Sequence, residues 1–492
     1  MLGQKTLLVN PPLVDGIRFT RQGRCQERED VLGTTKPPYT LVLLASLLRE
    51  SGCEVRLIDQ TAENLSTADL IARLKVEEFT PTIVIFCSTT PTLEADAAEM
   101  LTFKEHWQVP IFSFGPHASC APELSMEKAP DIDGMFVGEP EDGVVQLAGL
   151  DSLAELELIP SLTFRRKGEV IPCKSSGTYA GFMEMPYPAW DLLPLNRYRL
   201  PLTDKPYVLI ESSRGCPYSC DFCVVPLLQG HSFRERDATV LVDEIERTKR
   251  ELGIEYFYIW GDTVTLNVKT FSRFCDELIE RDLGIKWFGN SRADSLTDET
   301  FVHRLKRSGC WMLSMGIESE SDELRVDMLK RLEAKNIRIA VENLRKADIK
   351  SFGFFIFGYP GDTPETLERT TQYALDLDPD FANFYPAVPY PGTELYEKCR
   401  RMGLLASEEW SKMEYSFYLL EGNGLDERIV MSSINKARRR FFLRFRYIRR
   451  HFGDILRLIY TKRALTWQVA RRLLFNERTI TGGTSSGAIV GR

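Results

Sequence analysis

Short apolar runs alternate with longer stretches in which apolar residues recur every three or four positions. Residues 6–10, 54–59, 82–87, 110–115 and 134–138 have the length and apolar content of buried strands, and 39–51, 67–78 and 93–107 have the spacing of helices. Strands separated by helices at this interval predict a doubly wound parallel sheet over residues 1–150, with any ligand at the carboxyl ends of its strands. Residues 151–205 read as a connector: 159–171 as a hairpin turning at Lys167-Gly168, then a proline-stiffened passage at 185–191. The alternation returns from residue 207. Strands are expected at 207–213, 256–261, 286–290, 311–317, 352–357 and 381–388, and helices at 239–252, 268–281, 298–308, 322–347 and 364–377. Six strand–helix units over 206–400 predict a partial (βα)6 barrel, an open relative of the eight-stranded TIM barrel. The fold class is therefore α/β throughout, followed by a helical region at 401–478 and a flexible tail at 479–492.

Composition narrows the function classes. At 492 residues, with 43% hydrophobic and 27% charged residues, the chain is that of a soluble globular protein with two or three domains of ~100–200 residues. Its apolar runs fall short of the ~20 residues that span a bilayer, and 41–48 is expected as a core helix. A net charge of −8 argues against a general nucleic-acid binder. Eleven cysteines are ordinary at this length, and the first residues lead straight into a strand rather than a secretory signal, so a reducing, cytoplasmic setting is expected. The C-terminal region departs from the average. Phe441, Phe445, Ile448, Phe452, Ile455 and Ile459 form a helical stripe, beside Arg438, Arg439, Arg440, Arg444, Arg446, Arg449 and Arg450. Packing against the barrel is the expectation, and peripheral contact with an anionic membrane the alternative.

The densest chemistry lies in Ser213-Arg214-Gly215-Cys216-Pro217-Tyr218-Ser219-Cys220-Asp221-Phe222-Cys223. Three thiolates spaced C-x3-C-x2-C can hold one inorganic centre, and the next cysteine is Cys275. Structural zinc sites close with four protein ligands, whereas an iron–sulfur cluster on three cysteines leaves one iron open. A zinc knuckle completed by His231 is the alternative. Gly215 can take the backbone angles needed to wrap such a centre.

The cysteine spacing, with an aromatic before the last cysteine, resembles the signature of the radical S-adenosylmethionine (SAM) enzymes. That resemblance implies a 4Fe-4S cluster on Cys216, Cys220 and Cys223, SAM chelating the open iron, reductive cleavage to a 5′-deoxyadenosyl radical, and Phe222 flanking the adenine. Later strand ends resemble one subgroup of the family: Gly261-Asp262, Asn290-x-Arg292, Gly316-x-Glu318-Ser319 and Gly358-x-Pro360-Gly361-Asp362-Thr363. There Asp262 would accept from the SAM ammonium, Arg292 would meet a carboxylate, and Glu318 would bond ribose hydroxyls. Singly, each also has a structural reading, Gly358 and Gly361 as turn glycines and Asp294 as a helix cap. Trp260, Trp287, Trp311 and Phe384 read as core packing rather than substrate stacking.

The first domain lacks a G-x-G-x-x-G after its first strand and a Walker lysine motif, so a dinucleotide or nucleoside triphosphate is not indicated. Its strand ends carry Ser88-Thr89-Thr90, Gly115-Pro116-His117 and Gly138-Glu139 instead. These resemble the cobalamin-binding domain that precedes the radical domain in that subgroup, and imply that these residues line a cobalamin site. The D-x-H-x-x-G motif that supplies a lower cobalt ligand is absent. His117 is therefore expected as a hydrogen-bonding loop residue and cobalt without a protein imidazole; a domain that lost its cofactor and serves as a scaffold is the alternative.

The resemblance spans residues 5–400 and implies a cobalamin-dependent radical SAM enzyme methylating an unactivated carbon of a small-molecule or lipid substrate. An external electron donor such as flavodoxin or ferredoxin is implied as well. Two alternatives stay open. One is a radical oxidative cyclase or carbon-skeleton rearrangement enzyme with the same cofactors, and the other a cobalamin- or cluster-sensing binding protein without turnover.

Overall fold

The computed structural model describes residues 1–21, 35–422 and 424–461. The flexible tail expected at 479–492 and the end of the C-terminal region, 462–478, lie outside the described residues. Among the described residues the strands form two main sheets. The first contains β1 (Lys5–Asn10), β2 (Glu54–Asp59), β3 (Ile83–Cys87), β4 (Ile111–Phe114), β5 (Gly134–Phe136), β6 (Leu162–Arg166) and β7 (Glu169–Ile171), in the order β2-β1-β3-β4-β5-β6-β7. The first five run parallel. Leu7, Leu8, Val9 and residues 83–86 are fully buried, because helices cover both faces of a parallel sheet and leave no face for alternating polar residues. The strand order reverses between β1 and β3, which sets a crevice at their carboxyl ends. The hairpin expected in the connector forms as β6 and β7, but pairs antiparallel onto β5 and carries the first sheet on to Ile171.

The second sheet contains β8 (Tyr207–Glu211), β11 (Tyr256–Trp260), β12 (Lys286–Ser291), β13 (Cys310–Glu318), β14 (Lys350–Phe357) and β15 (Phe381–Pro386), each parallel to its sequence neighbour. Between β8 and β11, β9 (Ser213–Arg214) and β10 (Arg234–Glu235) make a separate antiparallel pair. Sequential parallel order with helical crossovers gives the six-unit partial barrel expected. Trp287 and Phe384 are fully buried, as expected of core residues, while Trp260 and Trp311 are only half-buried, packed against Tyr258 and Phe288 respectively.

Two stretches differ from expectation. The helix expected over 322–347 is split into Asp322–Asp327 and Ala334–Lys346. Leu329 and Arg331 take left-handed backbone angles between the pieces, and the buried Arg325 guanidinium donates to the Ser319, Glu320 and Leu332 carbonyls. The break turns Lys330 inward onto Glu318 at 2.8 Å, an ion pair that continuous helix would deny it. The C-terminal stripe also divides. Phe441 packs on Phe384 from helix Glu427–Phe442, and Arg444, Arg446 and Arg450 converge on the buried Asp378 at 2.6, 3.0 and 2.7 Å. From Phe445 onward the stripe faces outward, with Phe445 80% and Phe452 57% exposed. No helix among the described residues is long and apolar enough to cross a membrane.

One hydrophobic cluster joins both sheets, running from Leu8 and helix Tyr39–Glu50 through Trp190 and Tyr198 of the connector to residues 207–210. Helix Tyr39–Glu50 is the core helix expected at 41–48. Tyr198 donates from its hydroxyl to Asp59 at 2.7 Å, which satisfies a carboxylate wholly buried at the end of β2.

The crevice of the first sheet is organised by Arg21. Its guanidinium donates to Asp96 at 2.6 and 3.2 Å, to the Pro11 and Pro12 carbonyls, and to Thr61. Arg21 and Asp96 side chains are both 1% exposed. Removing one member of such a pair strands the other charge, at a cost of ~3–5 kcal/mol, whereas replacing both by apolar residues is often close to neutral. Arg21→Ala is therefore expected to lower unfolding free energy by about that amount in urea melts, and Arg21→Met with Asp96→Leu to recover most of it. Equal losses for the single and double variants would show that the pair is not what holds the crevice.

Candidate active site

The three cysteines lie on the loop that follows β8, at the carboxyl end of the first barrel strand. Its ends are tied together by β9 and β10, with Arg214 opposite Arg234. Gly215 closes the turn with φ +78°, and a Cβ there would collide with the Ser232 carbonyl. Within the loop, the Cys216 amide donates to the Gly230 carbonyl, and the Cys223 amide to Cys220. None of the ten described cysteines is in a disulfide; Cys216, Cys220 and Cys223 are half-buried, while Cys53, Cys87, Cys275, Cys310 and Cys399 are buried. Among the described residues no three His, Cys, Asp or Glu side chains close on a position for a single metal ion. His231 is exposed. Three thiols on one loop match the three protein ligands of a cluster with one open iron better than the closed four-ligand set of structural zinc.

Positive charge gathers beside Cys220. The Arg292 guanidinium stacks 3.7 Å over the Tyr218 ring and donates to the Lys330 carbonyl at 3.1 Å. Burial works against the Lys330 ammonium, yet attraction to Glu318 and then to Cys220 outweighs it and raises its pKa. Glu318 holds a left-handed backbone, φ +66°, and a Cβ on Gly316 would displace the Glu318 carboxylate and the Lys330 ammonium from their present positions. Glu318 is therefore engaged by Lys330, a partner that the sequence did not reveal because Lys330 falls inside the continuous helix expected over 322–347.

The other barrel loops converge on the same place. Asn290 donates to the Tyr258 hydroxyl at 2.9 Å. Gly261 lets the end of β11 lie against Ser213, whose buried hydroxyl has no protein partner, and Asp262 beside it is half-buried. An orphaned hydroxyl, two cations and a glycine next to the cysteines are donors of the kind a carboxylate-bearing nucleoside needs. Phe222 is half-buried against the core. Gly358, with φ +78°, serves a turn whose Gly358 and Tyr359 amides both donate to Asp362 at 3.0 Å, and Tyr418 seals it by donating to the Gly358 carbonyl. Tyr359 donates to Asp221, joining this turn to the cysteine loop. Burial pushes the Asp221 carboxyl up to about 6, against the lowering effect of that hydrogen bond.

The first sheet's strand ends face the cysteine loop. Gly115 has φ +133° and brings the end of β4 against the Ser88 carbonyl, where a Cβ would not fit. The Ser88 hydroxyl bonds Ser113 at 2.9 Å, and Thr89 bonds Thr92 at 2.8 Å. Close backbone approach and buried hydroxyls fit the tail of a corrinoid nucleotide. His117 bonds Thr90 through Nδ1 at 3.0 Å and meets the Trp410 ring edge-on at 4.2 Å. Its Nε2 is buried without a partner, and burial drives its pKa down to about 3. His117 thus sits in the short helix Pro116–Cys120 rather than on a loop, hydrogen-bonded to Thr90 and walled in by Trp410.

Glu139 differs from expectation: its carboxylate accepts from Arg214 at 3.0 Å, from Arg234 and from the Tyr179 amide, so it is engaged with the cysteine loop rather than turned to a nucleotide tail. Gly138, φ +80°, has no room for a Cβ beside Ser176 and Gly177. Arg214 and Arg234, which carried no role in the sequence reading, were discoverable only as the counter-charges that a buried Glu139 requires.

Because protonating His117 would bury an unpaired charge, its imidazole is expected to stay neutral from pH 8 to pH 4 in 15N-histidine spectra; a ring titrating near the ordinary ~6.5 would contradict its enclosed position.

Known proteins match this arrangement along most of the chain. The sequence profile of the radical SAM superfamily matches residues 210–374, and that of the B12 binding domain residues 30–148. An uncharacterized methyltransferase of Pyrococcus horikoshii is 31% identical over 92% of this chain and 96% of its own. The anaerobic magnesium-protoporphyrin IX monomethyl ester cyclase of Cereibacter sphaeroides is 26% identical, covering 84% of this chain and 68% of its own. Among solved structures, the radical SAM methyltransferase TsrM from Kitasatospora setae, with cobalamin and a [4Fe-4S] cluster bound, shares the fold at 19% identity, with a TM-score of 0.64 over 82% of this chain and 76% of that one. The cobalamin-dependent radical enzyme OxsB does so at 16% identity, with a TM-score of 0.69 over 92% and 68%. With its cysteine loop set against the strand ends of a B12 binding domain, the chain belongs to the radical SAM superfamily of enzymes, in the branch that carries that domain ahead of the barrel.

Proposed function

We propose that this chain is a cobalamin-dependent radical SAM methyltransferase acting on an unactivated carbon. The observation that carries this reading is the position of the three half-buried cysteines, beside the Lys330–Arg292 cation pair on one side and the strand ends of the B12 domain on the other. When bound, the cluster supplies an electron that cleaves SAM, and the corrinoid carries the methyl group. Cys216, Cys220 and Cys223 would hold the first, and the Ser88–Thr90, Gly115 and Gly138 loops the second. Lys330 and Arg292 would bind the SAM carboxylate, Asp262 its ammonium, and Ser213 or Asn290 its polar edges. Buried Tyr258, stacked on half-buried Phe288 at 4.6 Å, and half-buried Tyr385, stacked on Tyr415 at 4.5 Å, would line a wall that keeps water from a reactive carbon. The cyclase among the relatives keeps ring closure as the rival outcome.

Anaerobic reconstitution with iron, sulfide and cobalamin tests this reading. Wild-type protein is expected to release both 5′-deoxyadenosine and S-adenosylhomocysteine, and each cysteine-to-alanine variant neither; deoxyadenosine alone would favour cyclisation. Lys330→Met removes a charge-assisted contact of ~1.5–3 kcal/mol, so SAM affinity should fall ~10–100-fold with iron content unchanged.

The outward stripe supports a lipid surface as a further partner. Residues 443–461 hold five arginines, of which Arg444, Arg446 and Arg450 share the single Asp378 carboxylate, and one acid, Asp454, which Lys350 neutralises at 3.1 Å. An anionic bilayer complements both features. Co-flotation with phosphatidylglycerol vesicles is expected for the full chain and should be lost on Phe452→Glu; no flotation of the wild-type chain would remove this partner.

A further inference from the structure

Arg214 stands one residue from the glycine that opens the cysteine loop, and three carboxylates surround it. Glu211 comes from its own strand end, at 2.8 and 3.0 Å, while Glu139 at 3.0 Å and Glu141 at 2.7 Å come from the first domain. Arg234, opposite it in the β9–β10 pair, also binds Glu139. The rings of Phe182 and Tyr179, from the connector, lie 5.1 and 5.7 Å from the Arg214 guanidinium, and Phe182 lies 5.4 Å from that of Arg234. All three parts of the chain meet at one guanidinium whose side chain is 3% exposed.

Stability does not account for this arrangement. Buried ion pairs recover their desolvation cost poorly, and apolar packing would serve a fixed interface as well or better. Here the charges do not even balance, with three carboxylates to two guanidiniums, and Glu141 Oε2 is buried without a partner. The surplus sits where it can act on the cysteine loop. The Gly138 amide donates to Ser119 at 2.9 Å, and Ser119 lies in the short helix Pro116–Cys120 that starts from Gly115. Covalent and hydrogen-bonded links therefore run from the strand ends of β4 and β5 to Glu139, from Glu139 to Arg214, and from Arg214 through Gly215 to Cys216.

We infer that Arg214 is a positioning residue through which Glu139 and Glu141 of the B12 domain set the posture and the electrostatic field of the cysteine loop. This rests on the proposed cofactors and adds that occupancy of one domain is felt at the other. Reducing a cluster adds negative charge to it, so a buried carboxylate nearby opposes reduction.

The test reconstitutes wild type, Glu139→Gln, Glu141→Gln and Arg214→Lys with iron and sulfide, with and without cobalamin. Iron, sulfide and corrinoid per chain are measured first, then the cluster midpoint potential by EPR-monitored titration. The expected result is equal iron in all four, a midpoint that shifts when the wild type binds cobalamin, and loss of that shift in Glu139→Gln and Arg214→Lys. Glu141→Gln should raise the midpoint even without cobalamin. If Arg214→Lys fails to fold, the two near-isosteric glutamines still decide the matter. A wild-type midpoint indifferent to cobalamin, or variants that respond as the wild type does, would overturn the inference while leaving the cofactors intact. A wild-type chain that takes up no iron would overturn the proposed function and this inference with it.

Discussion

The architecture turns on a guanidinium that cannot reach water. Arg214 needs counter-charges once it is buried, and its own strand supplies only Glu211. The others come from the loop after β5 of the first sheet. The buried charges thus specify one relative placement of two sheets that could otherwise slide, because any shift that leaves one of them buried without its partner is costly. The shared hydrophobic cluster supplies adhesion between the halves, but apolar contact is tolerant of sliding. The directional contacts of Arg214 and Arg234 fix which strand ends face which loop.

The same rule shapes the neighbourhood of the cysteines. Lys330 is held inside by Glu318, Arg292 by Asp294 and the Tyr218 face, and Asp221 by Tyr359. Glu318 and Asp294 answer from the same strand-and-crossover unit as their partners, whereas Tyr218 meets Arg292, and Tyr359 meets Asp221, from the loop of a different strand. Glycines stand where these pairs need room: Gly316 under the Glu318–Lys330 pair, and Gly261 beside the Ser213 hydroxyl. Parallel strands make this possible, since all their carboxyl ends open to one side and can pool residues distant in sequence.

Much of this was legible beforehand. Hydrophobic period gave both sheets and the six barrel units, since burial of whole strands and of one helix face leaves a local imprint. The cysteine spacing and the glycine-bearing strand ends marked the loops that converge. The split at Leu329–Arg331 was hidden because its cause is a buried ion pair with Glu318, a contact between a strand end and a loop that no period encodes. Glu139 was misdirected for a related reason: its loop has the composition of a ligand site, and only the second domain reveals that Arg214 and Arg234 claim its carboxylate.

The C-terminal stripe shows the boundary between the two kinds of information. Its helical period is the same before and after Phe445, yet Phe441 is buried on Phe384 and Phe452 faces outward, because the barrel's flank ends there. Sequence alone determined which elements form, which faces are apolar and which residue types can hold a metal cluster, since these follow from near-neighbour spacing and side-chain chemistry. Tertiary structure alone decided which buried charge answers which, and which apolar face finds a partner, because pairing energy depends on distances through space that the chain's order does not fix.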